Sequence, residues 1–279
     1  MLLIDAHVHI HDCFDLATFM EAAATNFKAE AIRRRREAFT GILLLSEAAT
    51  ESWFRHLSDF AGSDRISIGR TGKRWSLQPT NESCSLLIHR AGEEGFFLIA
   101  GRQIITEERL EVLALATDRD FRNGMPLEET IRVIRECGSL PSIPWGFGKW
   151  MGRRGRILAD YLSKKDEKEY LFLGDNGGRP GFLPRPFFFK LAEKKKIKIL
   201  PGSDPLPFAS EVRRVGGFGC SIEGFVSIEH PAEDLRHLLL NPLVPTTAYG
   251  GLQRPLLFVR NQLSIQIGKA RFKPKSCPD

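Results

Sequence analysis

Short apolar segments alternate with helical segments along much of this 279-residue chain, and that alternation constrains the fold more than any other feature. Apolar runs bounded by turn signals are typical of buried strands. Strands that alternate with helices predict βαβ units around a parallel sheet. Such runs occupy residues 2–8, 42–45, 112–116, 140–145, 170–173 and 197–200.

The segment between residues 65 and 105 breaks this alternation. It contains short β-like runs separated by turn signals, which predicts an antiparallel β insertion. No low-complexity linker or internal repeat divides the chain. We therefore expect one α/β barrel-like domain over residues 1–279, a length that barrels of this class commonly reach.

Composition and charge give expectations about location and partners. The five cysteines are scattered and form no CxxC pair, and the sequence shows no signal peptide and no long apolar run, so we expect a cytoplasmic protein without membrane contact. The net charge is +6, with an arginine run at residues 33–36. Basic runs are usually solvated faces, and no nucleic-acid motif accompanies this one. The sequence therefore favours a small anionic substrate and makes nucleic acid an unlikely partner.

The first strand carries the strongest chemical signal, a His-x-His pair formed by His7 and His9. Residues two apart on a strand point to the same face, so both imidazoles can bind one metal ion. His11 lies beyond the expected strand end. Asp204 follows a late apolar strand and is a candidate third ligand, or the base that accepts a proton from the attacking water.

Other polar residues follow the remaining predicted strands and suit substrate binding. The basic side chains are candidates for holding a phosphate or carboxylate, and the acid and amide are candidates for binding hydroxyl groups or for capping turns. These residues are Lys149, Arg153, Asp175, Asn176 and Arg179.

The segment IDAHVHIHD resembles the first motif of the PHP (polymerase and histidinol phosphatase) family. The resemblance continues through ILLLSEA, IAGRQII, the segment from EVLALATDRDF to SIPW, and ILPGSDPL, about two-thirds of the chain. It implies a distorted (β/α)7-type TIM-like barrel that hydrolyses phosphoesters with up to three metal ions. His7, His9 and Asp204 match family ligands that converge on one metal position.

At five other positions this chain departs from the family's ligand pattern. The Thr-Asp-His after the second strand is replaced around Glu47, the bridging glutamate is Gln103, and the histidine before the next strand is Glu111. The family's later histidines are Trp145 and Leu206. The resemblance therefore implies a reduced centre with one divalent ion (Zn, Mn or Fe), in which Glu47 and Glu111 are possible substitute ligands or catalytic carboxylates.

The leading interpretation is a metal-dependent hydrolase of the PHP type, most plausibly a phosphoesterase. Two alternatives stay open. The lost ligands are also typical of a catalytically degenerate barrel that binds a ligand or a protein, and the wider amidohydrolase kinship allows hydrolysis of C–N bonds or lactones. The sequence does not specify the substrate or the oligomeric state.

Overall fold

The structure, a computed structural model, describes residues 1–61, 67–68, 74–166 and 169–271. Its helices are α1 (Leu16–Arg33), α2 (Trp53–Ala61), α3 (Leu127–Glu136), α4 (Gly152–Lys164), α5 (Phe187–Lys194), α6 (Pro231–Leu240) and α7 (Pro255–Arg271), with a 3-10 helix at Ala209–Arg214. Its strands are β1 (Leu2–Val8), β2 (Thr40–Leu45), β3 (Ser67–Ile68), β4 (Trp75–Pro79), β5 (Ser85–His89), β6 (Phe96–Ile99), β7 (Gly101–Ile105), β8 (Glu111–Leu115), β9 (Leu140–Pro144), β10 (Phe172–Asn176), β11 (Ile199–Gly202), β12 (Phe218–Ile222) and β13 (Thr247–Gly250).

The first sheet has the order β13-β12-β1-β2-β6-β5-β4-β3. Its centre is parallel, since β1 pairs with β2 and β2 pairs with β6 in parallel register. On one side β12 and β13 add as antiparallel strands, and on the other side β5, β4 and β3 do the same. All seven residues of β1 are buried, as expected for a parallel strand covered on both faces.

The second sheet has the order β11-β10-β9-β8-β7. Strands β9, β10 and β11 are parallel, whereas β8 runs antiparallel to both β9 and β7. Because of this reversal, the amino end of β8 lies beside the carboxyl end of β9. Glu111, the first residue of β8, therefore lies at the same edge as the carboxyl ends of the parallel strands.

The expectation of a (β/α)7-type TIM-like barrel is wrong, because the strands form two mixed sheets and neither closes into a barrel. Strand β1 cannot pair with β11, the edge strand of the second sheet, because β12 and β2 already occupy both edges of β1. The consecutive strands β6 and β7 belong to different sheets. There the segment that follows β2 meets β7 through an isolated bridge between Glu47 and Arg102. Within the 65–105 region, the antiparallel strands β3, β4 and β5 extend the edge of the first sheet and do not decorate a barrel, whereas β7 belongs to the second sheet.

Buried apolar side chains form two clusters. The larger one packs the first sheet against α1, α2 and α6. The smaller one packs the second sheet against α3, α4 and α5. The polar ends of β1 and β11 meet where the two sheets approach each other. Within the described ranges, no helix is both long and apolar enough to cross a membrane.

Candidate metal centre

His7, His9 and Asp204 converge at the junction of the two sheets. The two imidazole Nε2 atoms lie 3.1 Å apart. Asp204 Oδ1 lies 3.6 Å from Nε2 of His7 and 3.7 Å from Nε2 of His9. Both histidines are buried, with exposed fractions of 4% and 7%. The structure thus brings together the three residues that the sequence singled out as ligands, one of them almost two hundred positions from the other two.

Backbone contacts between β1 and β11 fix this meeting. The backbone N–H of Asp204 donates to the carbonyl of His7 over 2.8 Å. A Cβ atom at Gly202 would lie 2.3 Å from the backbone nitrogen of His7, so only glycine allows this approach. Asp204 has a φ of 42°, a left-handed conformation that costs a non-glycine residue energy and tends to occur at functional sites.

Asp5 ties the same two segments together from beneath the site. Its Oδ1 accepts from the backbone N–H of Ser203 over 2.8 Å, and its Oδ2 accepts from that of Gly216 over 2.8 Å. Burial raises the pKa of Asp5 to about 7, although these hydrogen bonds oppose the rise. Asp5 therefore anchors the loop that carries Asp204, a role that the sequence did not reveal.

Asn176, at the end of β10, orients the Asp204 carboxylate. Its side-chain amide donates to Asp204 Oδ2 and to the carbonyl of Trp145, while its own oxygen accepts from the backbone of Gly178. Burial alone would raise the pKa of Asp204, but the imidazoles of His7 and His9 lower it below its usual value. The sequence predicts Asn176 as a substrate-binding residue, and the structure places it against the candidate metal ligand.

Glu51 contacts the outer side of the histidine cluster. Its Oε2 lies 3.7 Å from Nδ1 of His9 and its Oε1 lies 3.9 Å from Nδ1 of His11. The same carboxylate accepts from the backbone N–H of Ala48. His11 Nε2 is directed at the carbonyl of Pro205, 2.8 Å away, and so away from the cluster. Glu51 follows no apolar strand directly, which is why sequence reasoning overlooked it.

The three converging side chains fit a divalent cation. Ligand atoms about 2.0–2.2 Å from one ion lie on the order of 3–4 Å from one another, and the separations within the cluster fall in this range. Among the residues that the structure describes, none is a hydrogen-bond partner for the buried Nδ1 of His9. A single N–H on one of the two facing imidazole nitrogens serves only one of these contacts at a time, whereas a cation would satisfy both nitrogens and the carboxylate oxygen together.

Glu47 is held away from this cluster by other partners. Its Oε1 accepts from the backbone N–H of Phe54 over 2.7 Å, and its Oε2 pairs with Arg102 over 2.8 Å. Its exposed fraction is 2%, and burial raises its pKa. Both oxygens of this predicted substitute ligand are therefore engaged in a structural contact at the start of α2.

Glu111 and Lys149 form an ion pair at the rim of the site. Burial lowers the pKa of His7, and the charges of Asp204 and Glu111 oppose that shift. Burial raises the pKa of Asp204, and the two imidazoles lower it. The charge of Lys149 adds a smaller lowering effect. Both members of the pair thus lie within electrostatic reach of the cluster.

The remaining predicted substrate residues divide into a buried pair and an exposed side chain. Asp175 and Arg179 form a bidentate ion pair with both distances at 2.8 Å. Arg179 is buried, so this pair supports the turn after β10. Arg153 lies exposed in the first turn of α4.

A cleft of about 600 Å³ opens beside the cluster. Its lining includes His11 and Glu51, together with Trp53 and His56 at the start of α2. The cleft therefore gives solvent a route to the outer side of the histidine cluster. His56 belongs to no recognisable constellation in the sequence, and only the packing of α2 brings it here.

A second group of possible ligands, Glu82, His230 and Glu233, lies on the surface at the start of α6. Glu82 accepts hydrogen bonds from the backbone N–H groups of Ala232 and Glu233 over 2.7 and 2.8 Å. A carboxylate that satisfies free N–H groups of a helix start acts as a cap. This group therefore has a structural explanation.

Comparison with known proteins gives similarities in structure only. No family model matches the sequence, and no curated protein matches it. Among solved structures, the lesion-specific endonuclease PfuEndoQ from Pyrococcus furiosus matches with a TM-score of 0.49 and 13% identity over 98% of this chain and 67% of that chain. An Endonuclease Q complex with a 27-mer duplex carrying an abasic lesion matches with a TM-score of 0.44 and 14% identity, over 85% of this chain and 55% of that one.

The expectation that nucleic acid is an unlikely partner is overturned by that last finding, since a structure similar to this chain holds duplex DNA. The stronger similarity is to PsfC from Pseudomonas syringae PB-5123, with a TM-score of 0.56 and 15% identity. It covers 95% of this chain and 97% of PsfC. At this identity the likeness concerns the fold alone: the chain is similar in fold to PsfC over nearly its whole length.

Proposed function

We propose that this protein is a metal-dependent hydrolase of phosphoesters that holds one divalent cation between His7, His9 and Asp204. The observation that carries the proposal is the convergence of two imidazole nitrogens and one carboxylate oxygen within 3.7 Å of one another at a buried strand junction. Two histidines and one carboxylate leave room for further ligands, which is typical of catalytic rather than structural sites.

A single ion is favoured over several because the other carboxylates near the strand ends are neutralised within the protein. Glu47 pairs with Arg102, and Glu111 pairs with Lys149. Gln103, at the position of the family's bridging glutamate, is neutral. Imidazole nitrogen with carboxylate oxygen suits Zn, Mn or Fe.

A divalent cation supplies Lewis acidity, which makes water a better nucleophile and polarises a phosphoryl oxygen. The protein's own residues orient the reactants. Asn176 donates to Asp204 Oδ2 and leaves Oδ1 directed at the imidazoles. Asp204 is thereby committed to its position as a ligand.

Lys149 and Glu111 suit the remaining roles. A phosphate that binds the Lys149 ammonium replaces the Glu111 carboxylate as its partner. The released Glu111 carboxylate is then available to accept a proton from the attacking water. The pair is partly exposed, with side-chain exposed fractions of 35% for Lys149 and 17% for Glu111, so a substrate has access to it.

The test combines elemental analysis of the purified protein with hydrolysis assays on nitrophenyl phosphate mono- and diesters in the presence of Zn, Mn or Fe. We expect about one ion per chain and metal-dependent turnover that is lost in His7→Ala. Metal binding with turnover only on amides or lactones would reject the phosphoester assignment. A folded protein that binds no ion and hydrolyses none of these substrates would reject the enzyme altogether and favour a non-catalytic binding domain.

A further inference from the structure

A cavity of about 280 Å³ borders the loop between β2 and α2, and two arginines line it. Arg102 lies on β7 and Arg55 lies on α2. Thr50, Glu51 and Ser52 line both this cavity and the 600 Å³ cleft beside the histidine cluster, but none of the three candidate ligands lines the cavity. The cavity is therefore a neighbour of the candidate metal centre and not a part of it.

The carboxylate of Asp120 lies between the two guanidinium groups. Nη2 of Arg55 donates to its Oδ2 over 2.7 Å, and Nη2 of Arg102 lies 3.0 Å from its Oδ1. Nη1 of Arg102 donates to Glu47 Oε2 over 2.8 Å and to the carbonyl of Glu51 over 3.0 Å. The chain thus fixes Arg102 through one terminal nitrogen and leaves the other to the carboxylate of Asp120.

The partners in this contact differ in burial. The side chain of Arg102 is 8% exposed, whereas that of Asp120 is 67% exposed. A buried cation has to keep its partners, while an exposed carboxylate gains little from an ion pair and is readily hydrated. An anion that enters the cavity is therefore able to replace Asp120 and leaves no buried charge unpaired.

Asp120 is the exchangeable acid among the described residues that line the cavity. Both oxygens of Glu47 are engaged in the contact at the start of α2. The carboxylate of Glu51 is turned to the backbone of Ala48 and to the histidines. The hydrogen bond from Arg55 lowers the pKa of Asp120 below its usual value, so this carboxylate is ionised at neutral pH and competes with an added anion.

The other polar groups and the size of the cavity suit a phosphoryl group. Thr50, Ser52 and Gln103 offer neutral hydroxyl and amide donors. Guanidinium groups match the oxygens of a phosphoryl group, and two that converge on one point favour its double charge over the single charge of a carboxylate. The volume of about 280 Å³ is below the roughly 300–1,000 Å³ of sites that enclose whole small molecules, so the cavity suits one group and not a complete substrate.

We propose that Arg55 and Arg102 form an anion subsite, which binds a phosphoryl group in exchange for the carboxylate of Asp120. The group belongs either to the substrate, as a second phosphoryl group apart from the one at the metal, or to a free phosphate ion. Glu51 connects the two sites, since its carbonyl oxygen accepts from Arg102 while its carboxylate faces His9. The assignment to the substrate rests on the proposed function, whereas the binding itself requires no metal.

The first test measures the binding of inorganic phosphate to metal-free protein by NMR titration of the backbone amide signals of residues 50–52 and 102–103. Arg55→Gln is expected to bind phosphate at least about 10-fold more weakly, because a hydrogen bond between charged groups is lost. Asp120→Asn is expected to bind it about 2–5-fold more tightly, because the competing negative charge is gone. Arg102 is left unchanged in this test, since its loss would also release Glu47.

Two further variants serve as controls. Glu223→Gln removes the carboxylate of another exposed ion pair, that of Arg36, and is expected to bind phosphate like the wild type. Lys149→Met removes the cation at the rim of the metal centre and is expected to leave phosphate binding in the cavity unchanged. Equal affinities in Arg55→Gln and the wild type would overturn the proposal, and so would an affinity of Asp120→Asn no higher than that of Glu223→Gln.

Steady-state kinetics of the metal-loaded protein identify the source of the phosphoryl group. If it belongs to the substrate, Arg55→Gln raises the KM for a nitrophenyl phosphate that carries a second phosphoryl group and leaves the KM for plain nitrophenyl phosphate unchanged. If it is a free ion, added inorganic phosphate changes the turnover of plain nitrophenyl phosphate more in the wild type than in Arg55→Gln. A protein that binds phosphate as expected but hydrolyses neither ester would overturn the proposed function and retain the anion subsite.

Discussion

The histidine cluster and the Glu47–Arg102 contact both place a carboxylate at the end of a strand, half-buried in Asp204 and buried in Glu47, yet they differ in what balances the charge. Asp204 faces two imidazoles and the amide of Asn176. Glu47 instead faces a guanidinium that lies 2.8 Å away and is itself buried. One carboxylate is balanced by a permanent cation of the chain, and the other has only groups that are able to share an added cation.

This difference separates a structural contact from a binding site. A buried charge is tolerated only when it is paired or coordinates a metal. Arg102 supplies the pairing for Glu47 from within the chain, so this carboxylate has no need of an ion. The pairing of Glu111 with Lys149 is similar, but it is partly exposed and therefore easier to exchange.

Loss of the structural contact is expected to give the largest effect on stability. Glu47→Ala leaves Arg102 without its buried partner and the N–H of Phe54 without an acceptor, at a cost of about 3 kcal/mol. Urea unfolding measures the change. Arg102 keeps its contact with Asp120, which limits the loss. Metal content equal to that of the wild type is expected, and a loss of metal in a folded variant would show that the Glu47–Arg102 contact is part of the metal centre.

Removal of the cluster carboxylate is expected to act mainly on the cation. Asp204→Ala should weaken Zn²⁺ or Mn²⁺ binding by at least about 100-fold, because the remaining imidazoles are neutral ligands. Isothermal titration calorimetry provides the measurement. The variant Glu111→Gln is the control, and a similar weakening in both would show that Asp204 acts only through its charge.

Removal of the amide that orients Asp204 should have a smaller effect. Asn176→Ala deletes a hydrogen-bond donor to the carboxylate and an acceptor for Gly178, which costs about 1–2 kcal/mol of stability or metal affinity. Asn176→Ser retains a polar group, and its stability and metal affinity are expected to lie between those of Asn176→Ala and the wild type. Equal metal affinity and stability in all three proteins would mean that Asp204 is held by its backbone alone.

The exposed pair gives the smallest effect. Lys149→Met removes a partner of Glu111, and because the ammonium is about one-third exposed, we expect a change in unfolding free energy within about 1 kcal/mol. Turnover of a phosphoester is expected to fall while metal content is retained. Stability lowered as strongly as in Glu47→Ala would show that the two ion pairs are equivalent.

Several elements were predictable because their signals are local. Strand β1 occupies residues 2–8 as the apolar run indicates, and the apolar runs at 112–116 and 140–145 match β8 and β9 within a residue. The elements beyond Ile222 are harder to predict from the sequence. Helix α6 begins with a proline and two acidic residues, but its strongest cap comes from Glu82, which is distant in sequence.

The sequence by itself determined that His7 and His9 share a strand end and point the same way, since side-chain direction along a strand depends only on local backbone geometry. Tertiary structure decided everything that depends on which strands share an edge. Strand β12 takes the edge of β1 that a closed barrel needs, so the sheets stay separate, and contacts between distant segments bring Asp204 and Glu51 to the histidines while pairing Glu47 with Arg102. Hydrogen-bonded pairing and ion pairing join residues without regard to their spacing in the chain, and no local pattern specifies them.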